Sequence, residues 1–176
     1  SNTFVCKKCS AQLAALFANK GIRSYLYDIT TDTSILGKNR LKIIKPPPLE
    51  QPEGIELIQA CSLDKDIHKI KKVDWIIEAV PEKIEIKIEV FKKISPYIHK
   101  RAILSSNTSG ITLNELIKNL PANLKSRFLI THFFNPPRYM KLLEIVKNEQ
   151  TSLETYNSLT SFCRSILNKG IVPAKD

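Results

Sequence analysis

Alternation of strand-length apolar runs with segments of helical period constrains this chain more than any other feature of its sequence. Val73–Val80 (VDWIIEAV) is apolar enough for a buried strand, and Glu82–Ile94 follows with Ile84, Ile88, Phe91 and Ile94 near helical spacing. The same alternation continues through strand Arg101–Ser106, helix Thr112–Leu120, strands Phe128–Phe133 and Lys141–Lys147, helix Leu153–Leu167 and a last strand, Gly170–Ala174. Upstream, Ala11–Asn19 (AQLAALFAN) is rich in strong helix formers, with Gly21 where a C-terminal cap belongs, and Ile22–Asp28 is a strand that ends in an acid. Such an order predicts a mostly parallel sheet covered by helices on both faces. Between Thr30 and Gly54 the pattern lapses. Pro46-Pro47-Pro48 forbids a continuous helix or central strand there and predicts a loop or extended excursion, before a short strand at Ile55–Ser62.

In a sheet of this kind ligands bind at the carboxyl ends of the strands. Polar residues gather at those ends. Asp28 closes one strand, Glu78 and Glu82 flank the end of another, Ser106-Asn107-Thr108-Ser109 follows a third, and His132 and Asn135 end a fourth. An acid at the end of the second strand can hold ribose hydroxyls, although Asp after a strand is also a common turn cap. His132 and Glu144 fall on neighbouring strands, so the carboxylate can hold one ring nitrogen while the other serves as a general base. A buried histidine satisfied by hydrogen bonds is the plainer alternative. Ser109 and Asn135 can donate to a substrate oxygen, or act merely as a helix N-cap and a turn residue before Pro136. His68 and His99 lie among lysines and read as surface residues.

Composition narrows the function classes. The formal charge of +10 comes from 27 basic and 17 acidic side chains scattered along the chain, a pattern of solvated helix faces that also suits an anionic ligand. Net charge is all that favours RNA, and no nucleic-acid partner is expected. No apolar run reaches the roughly 20 residues of a membrane span, and the first residues lack an apolar signal core, so no membrane partner is expected. Four irregularly spaced cysteines make no disulfide framework and point to a cytoplasmic setting. Cys6-Lys7-Lys8-Cys9 lacks the further ligands that a zinc site needs, and no metal is expected.

Six segments taken together carry a family resemblance: AQLAALFANKGI (11–22), LYD (26–28), DWIIEAVPE (74–82), SSNTSGI (105–111), THFFNPPRYMKLLEIV (131–146) and KGIVPAKD (169–176). In this order they resemble the NAD-binding domain of the L-3-hydroxyacyl-CoA dehydrogenases of bacterial fatty-acid oxidation. The resemblance implies a Rossmann-like, doubly wound sheet and oxidation of the 3-hydroxyl of an acyl-CoA by hydride transfer to NAD. It implies that His132 is the catalytic base, that Glu144 pairs with it, and that Ser109 and Asn135 lie near the reacting oxygen and the nicotinamide. Asp28 matches the ribose-binding acid, and Ala79, Glu82, Lys87 and Asn107 match positions lining the cofactor site. Residues 1–176 then form one dinucleotide-binding domain without the family's helical C-terminal domain, which could be a separate partner that completes the acyl-CoA site.

The chain departs from the family in one place above all. The glycines of the G-x-G-x-x-G turn correspond to Val5, Lys7 and Ser10, and the five glycines present all lie elsewhere, at Gly21, Gly37, Gly54, Gly110 and Gly170. Those glycines permit the tight turn, the approach of backbone to the pyrophosphate, and close helix–strand packing. Their replacement predicts weak or absent NAD binding. A nearly absent first strand is also expected, with Asn2 to Val5 as a stub or a neighbouring chain filling the gap. The alternative function is a truncated remnant that folds but lacks dehydrogenase activity.

Overall fold

The computed structural model describes residues 2–6 and 10–174. One sheet of eight strands forms its centre, made of β1 (Asn2–Cys6), β2 (Arg23–Asp28), β3 (Ile58–Ser62), β4 (Trp75–Glu78), β5 (Ile103–Ser106), β6 (Phe128–Phe133), β7 (Leu142–Val146) and β8 (Gly170–Ala174). Across the sheet the order is β3, β2, β1, β4, β5, β6, β7, β8. The first six strands run parallel; β7 is antiparallel to β6 and parallel to β8. This is a doubly wound, Rossmann-like sheet whose order reverses between β1 and β4.

The helices are α1 (Ser10–Ala18), α2 (Thr31–Arg40), α3 (Ile84–Ile94), α4 (Leu113–Ile117), α5 (Ala122–Lys125) and α6 (Leu153–Ser165). Successive side chains of a strand point to opposite faces, and the buried residues obey that rule. Ile76 and Leu104 join Phe91 and Ile94 of α3 and Leu116 of α4 on one face. Trp75 and Ile77 join Phe17 of α1 and Leu159 and Cys163 of α6 on the other. On that second face the Trp75 indole N–H donates to Ser105 Oγ at 2.9 Å, and Thr131 Oγ1 donates to the same oxygen at 2.8 Å.

Two expectations need correction. The first strand is not nearly absent: it runs one residue beyond the stub expected at Asn2 to Val5, pairing with β2 over its whole five residues and with β4 over Thr3–Cys6. A short strand suffices because β4 itself has only four residues. The stretch after Thr30 is not irregular either, since α2 fills its first ten positions. Its start is a capping box in which Thr30 Oγ1 accepts from the Thr33 amide and Thr33 Oγ1 accepts from the Thr30 amide. It buries only Ser34, so it shows no amphipathic stripe for the sequence to betray.

Smaller differences concern ends. A 3₁₀ turn, Pro52–Leu57, replaces the first residues of the strand expected at Ile55. The helix expected at Thr112–Leu120 is shorter, α4 capped by Thr112, and a separate short helix, α5, follows Pro121. The triproline segment is a loop, as its composition requires, with a cis bond between Lys45 and Pro46.

Candidate active site

The carboxyl ends of β2, β4, β5 and β6 supply the polar side chains that the sequence singles out. Asp28 is the last residue of β2, and its Oδ1 accepts from the Ile29 amide at 2.7 Å. Beside it a depression of about 230 Å³ is walled by Ile29, Leu63, Val80, Pro81 and Val90. Ala79 is half-buried in the turn directly after β4, adjoining Val80. From β2 to β6 the sheet crosses four strand spacings, about 19 Å in all. An extended ligand spans that distance; a compact one does not.

Between these ends lies a buried ionic network. Glu78, the last residue of β4, is 0% exposed and Lys87 of α3 is 1% exposed. The Lys87 ammonium donates to Glu78 Oε1 at 2.9 Å and lies 3.3 Å from Glu82 Oε2. Ser106 Oγ and the Val80 amide also donate to the Glu78 carboxylate, at 2.5 and 2.6 Å. Burial pushes the Glu78 carboxyl above its ordinary range, while Lys87 and the Ser106 hydroxyl pull it back.

Glu82 is treated differently. Its Oε1 accepts from the Thr108 hydroxyl and from the amides of Ser109 (3.0 Å) and Gly110 (2.9 Å). Burial alone would raise this carboxyl, but the Thr108 hydroxyl, the two amides and Lys87 outweigh it and hold the group at about 2. Glu82 therefore ties the end of β4 to the loop after β5. Asn107 extends the tie. Its Oδ1 accepts from the Phe133 amide at 2.9 Å, and its own amide donates to Glu78 O at 2.7 Å.

His132 and Glu144 stand directly opposite each other in the antiparallel pairing of β6 and β7. Their Nδ1 and Oε2 are 2.9 Å apart, with side chains 24% and 36% exposed. The imidazole also lies against the Phe134 ring, 4.7 Å between centroids. A depression of about 230 Å³ collects His132, Glu144, Thr108, Ser109, Gly110 and Ile111. Asn135 lies outside it, exposed on the loop that leaves β6 and joined to Pro136 by a cis bond.

The structure thus brings His132, Glu144 and Ser109 together and places Asp28 at the far end of the sheet's rim. Lys87 lies beneath this rim, its ammonium engaged by protein atoms, rather than on the surface of the cleft. Sequence reasoning missed Ser106 and Thr108 as supports of Glu78 and Glu82. Their signal was the unbroken polar run Ser105–Ser109 after a buried strand. His68 and His99 are exposed, as read from the sequence. Cys61 and Cys163 are buried and free, whereas the Cys6–Cys9 pair and the three glycine-turn positions fall outside the described residues or their described side chains. Among the described residues no cluster of three His, Cys, Asp or Glu can hold a metal, and no helix is long and apolar enough to cross a membrane.

Comparison with known proteins gives a consistent set of relatives. The family "3-hydroxyacyl-CoA dehydrogenase, NAD binding domain" matches residues 9–176. A Rickettsia felis protein named as the trifunctional enzyme of a fatty acid oxidation complex is 41% identical over 171 residues, covering 93% of this chain and 24% of that protein. A Deinococcus radiodurans protein named as a probable 3-hydroxyacyl-CoA dehydrogenase is 35% identical over 173 residues, covering 94% of this chain and 50% of that one. The crystal structure of the 3-hydroxyacyl-CoA dehydrogenase of Archaeoglobus fulgidus superimposes with a TM-score of 0.81 at 26% identity, covering 99% of this chain and 56% of the other. The chain therefore spans about a quarter of the length of the first of these relatives and half of the second.

Proposed function

Because the chain belongs to the family of 3-hydroxyacyl-CoA dehydrogenase NAD-binding domains, we propose that it is the nucleotide-binding part of an enzyme oxidising the 3-hydroxyl of an acyl-CoA. The observation that carries this reading is the 2.9 Å pair of His132 and Glu144, in one depression with Ser109. A carboxylate only accepts, so Nδ1 carries the hydrogen and Nε2 is the nitrogen left to take the hydroxyl proton. Glu144 fixes that tautomer and balances the charge the ring acquires. Ser109, in the same depression, donates to the reacting oxygen and holds it against the base; Asn135, on the loop that leaves β6, is the second donor that the family resemblance implies.

The dimensions of the rim suit NAD, which when bound supplies the hydride acceptor. Asp28 binds the adenosine ribose hydroxyls, and the apolar depression beside it takes the base. Ala79 and Asn107 line the middle of the cofactor site. Glu82 and Lys87 shape the site from below by holding the loop that carries Ser109. Val5, Lys7 and Ser10 in place of glycines weaken the grip on the pyrophosphate, so calorimetry should find no micromolar affinity for NAD; a micromolar Kd refutes this.

Residues 1–176 act as one dinucleotide-binding domain, and the acyl-CoA site is completed by a helical part such as the family carries, whether in the same protein or as a separate partner. Two buried free thiols fit a reducing, cytoplasmic setting. The test is NADH production from a 3-hydroxyacyl-CoA, with and without that helical partner. His132→Gln should lower kcat by about 10²- to 10⁴-fold, the usual worth of a general base. Unchanged turnover in His132→Gln overturns the assignment. Inactivity of a cooperatively folded protein under both conditions favours the second reading, a folded remnant, which the replaced glycines support.

A further inference from the structure

One buried cation takes no part in the cleft just described. Lys169, between α6 and β8, is 5% exposed, and among the described residues it pairs with no carboxylate. Its ammonium donates to the backbone carbonyls of Pro137 and, at 2.6 Å, Met140, and lies 6.0 Å from the centre of the Phe133 ring. Burial lowers its pKa below the ordinary lysine range, as expected for a cation held by neutral partners. A lysine so placed costs folding energy unless its donors are satisfied.

The loop it holds explains the need. Residues 134–141 join β6 to β7, between His132 and Glu144, and contain Pro136 and Pro137, which have no N–H to donate. The amides of Tyr139 and Met140 both donate to Pro136 O, at 3.0 Å each. The carbonyls of Pro137 and Met140 therefore take an external donor, and Lys169 supplies both bonds. The lysine is itself fixed. Its amide donates to Cys163 O at 3.0 Å, Asn168 before it adopts φ 56°, and the Gly170 amide donates to Lys141 O at 2.9 Å. On the other side of the same loop, Arg138 donates to the carbonyls of Pro47 and Leu49, at 2.8 and 2.9 Å, and the Tyr139 hydroxyl donates to Pro47 O at 2.8 Å. The triproline excursion is thus fastened to it through side-chain bonds to the Pro47 and Leu49 carbonyls.

We propose that Lys169 is a positioning residue for the reaction, setting the 134–141 loop so that Asn135 and the His132–Glu144 register stay in place. The inference rests on the reading of His132 as the base. Its loss acts through geometry and leaves the nucleotide end at Asp28 untouched.

The full-length protein tests this with Lys169→Met and Lys169→Arg. Lys169→Met should lower kcat about tenfold or more, since a misplacement near 1 Å can cost about a hundredfold, with KM for NAD within about twofold of wild type. Lys169→Arg keeps donors for both carbonyls and should restore most of kcat. Proton NMR gives a readout independent of turnover: the slowly exchanging ring proton on His132 Nδ1, held by Glu144, should be lost in Lys169→Met and kept in Lys169→Arg. Unchanged kcat and an unchanged His132 signal in folded Lys169→Met overturn the inference. Equal losses in the two variants also overturn it. If Lys169→Met does not fold, Lys169→Gln, whose amide is shorter and uncharged, carries the same comparison. If His132→Gln leaves turnover intact, the reading of the site fails instead; if it abolishes turnover while Lys169→Met does not, only the role of Lys169 fails.

Discussion

Glu82 makes an acid-sensitive joint in the cleft. Its carboxyl sits at about 2 against an ordinary 4.5, so the folded state prefers the ionised form. The stability this supplies is fully present above about pH 4.5 and is lost as pH falls toward 2. Urea melts of Glu82→Gln should show reduced stability at pH 7 and convergence with wild type near pH 2. A difference that persists at pH 2 contradicts the assignment. At the same scale, Lys7→Gly should raise NAD affinity by about tenfold or more, because glycine is what the family's turn uses there to let backbone approach the pyrophosphate; calorimetry measures it. His132 and Glu144 were legible because two adjacent strands joined by a short loop leave few ways to pair. Lys87 was not. The resemblance gives Lys87 only as a position lining the cofactor site, and only the fold shows it buried, with a carboxylate 2.9 Å away.

Helix α3 and strand β4 are joined by that pair, Lys87 with Glu78, and the join is asymmetric. Removing one partner strands a buried charge, which costs about 3–5 kcal/mol, whereas removing both together can be nearly neutral. Chemical denaturation should therefore find Lys87→Met strongly destabilised and Glu78→Gln/Lys87→Met closer to wild type. A double variant as unstable as the single one refutes this coupling. Among the elements, apolar strands were legible from their composition, since parallel strands buried on both faces must be apolar throughout. Helix α2 was not, because a capping box built on Thr30 and Thr33 and one buried serine leave no periodic trace. Strand β1 reads as nearly absent in the sequence because the adequacy of five residues depends on its neighbour β4 having only four.

Over the whole molecule, the sheet divides the apolar interior into clusters on its two faces. Leu116 of α4 belongs to one and Leu159 of α6 to another. Replacing either by alanine should cost about 2–5 kcal/mol. The two losses should add to within about 0.5 kcal/mol, since no partner is shared. Marked non-additivity in urea melts contradicts that separation. The doubly wound order was legible at this scale because alternating strands and helices admit few chain paths. The extra pair β7 and β8 beyond the parallel core was legible as strands, but not as a reversal of direction. That reversal has an evolutionary consequence. The imidazole–carboxylate pair is made between residues 12 apart in one hairpin, whereas the Asp28 end of the rim needs crossovers that bring distant strands together. The two ends of the candidate site can therefore accept mutation independently, and residues at the Asp28 end can change while the His132–Glu144 hairpin survives unaltered.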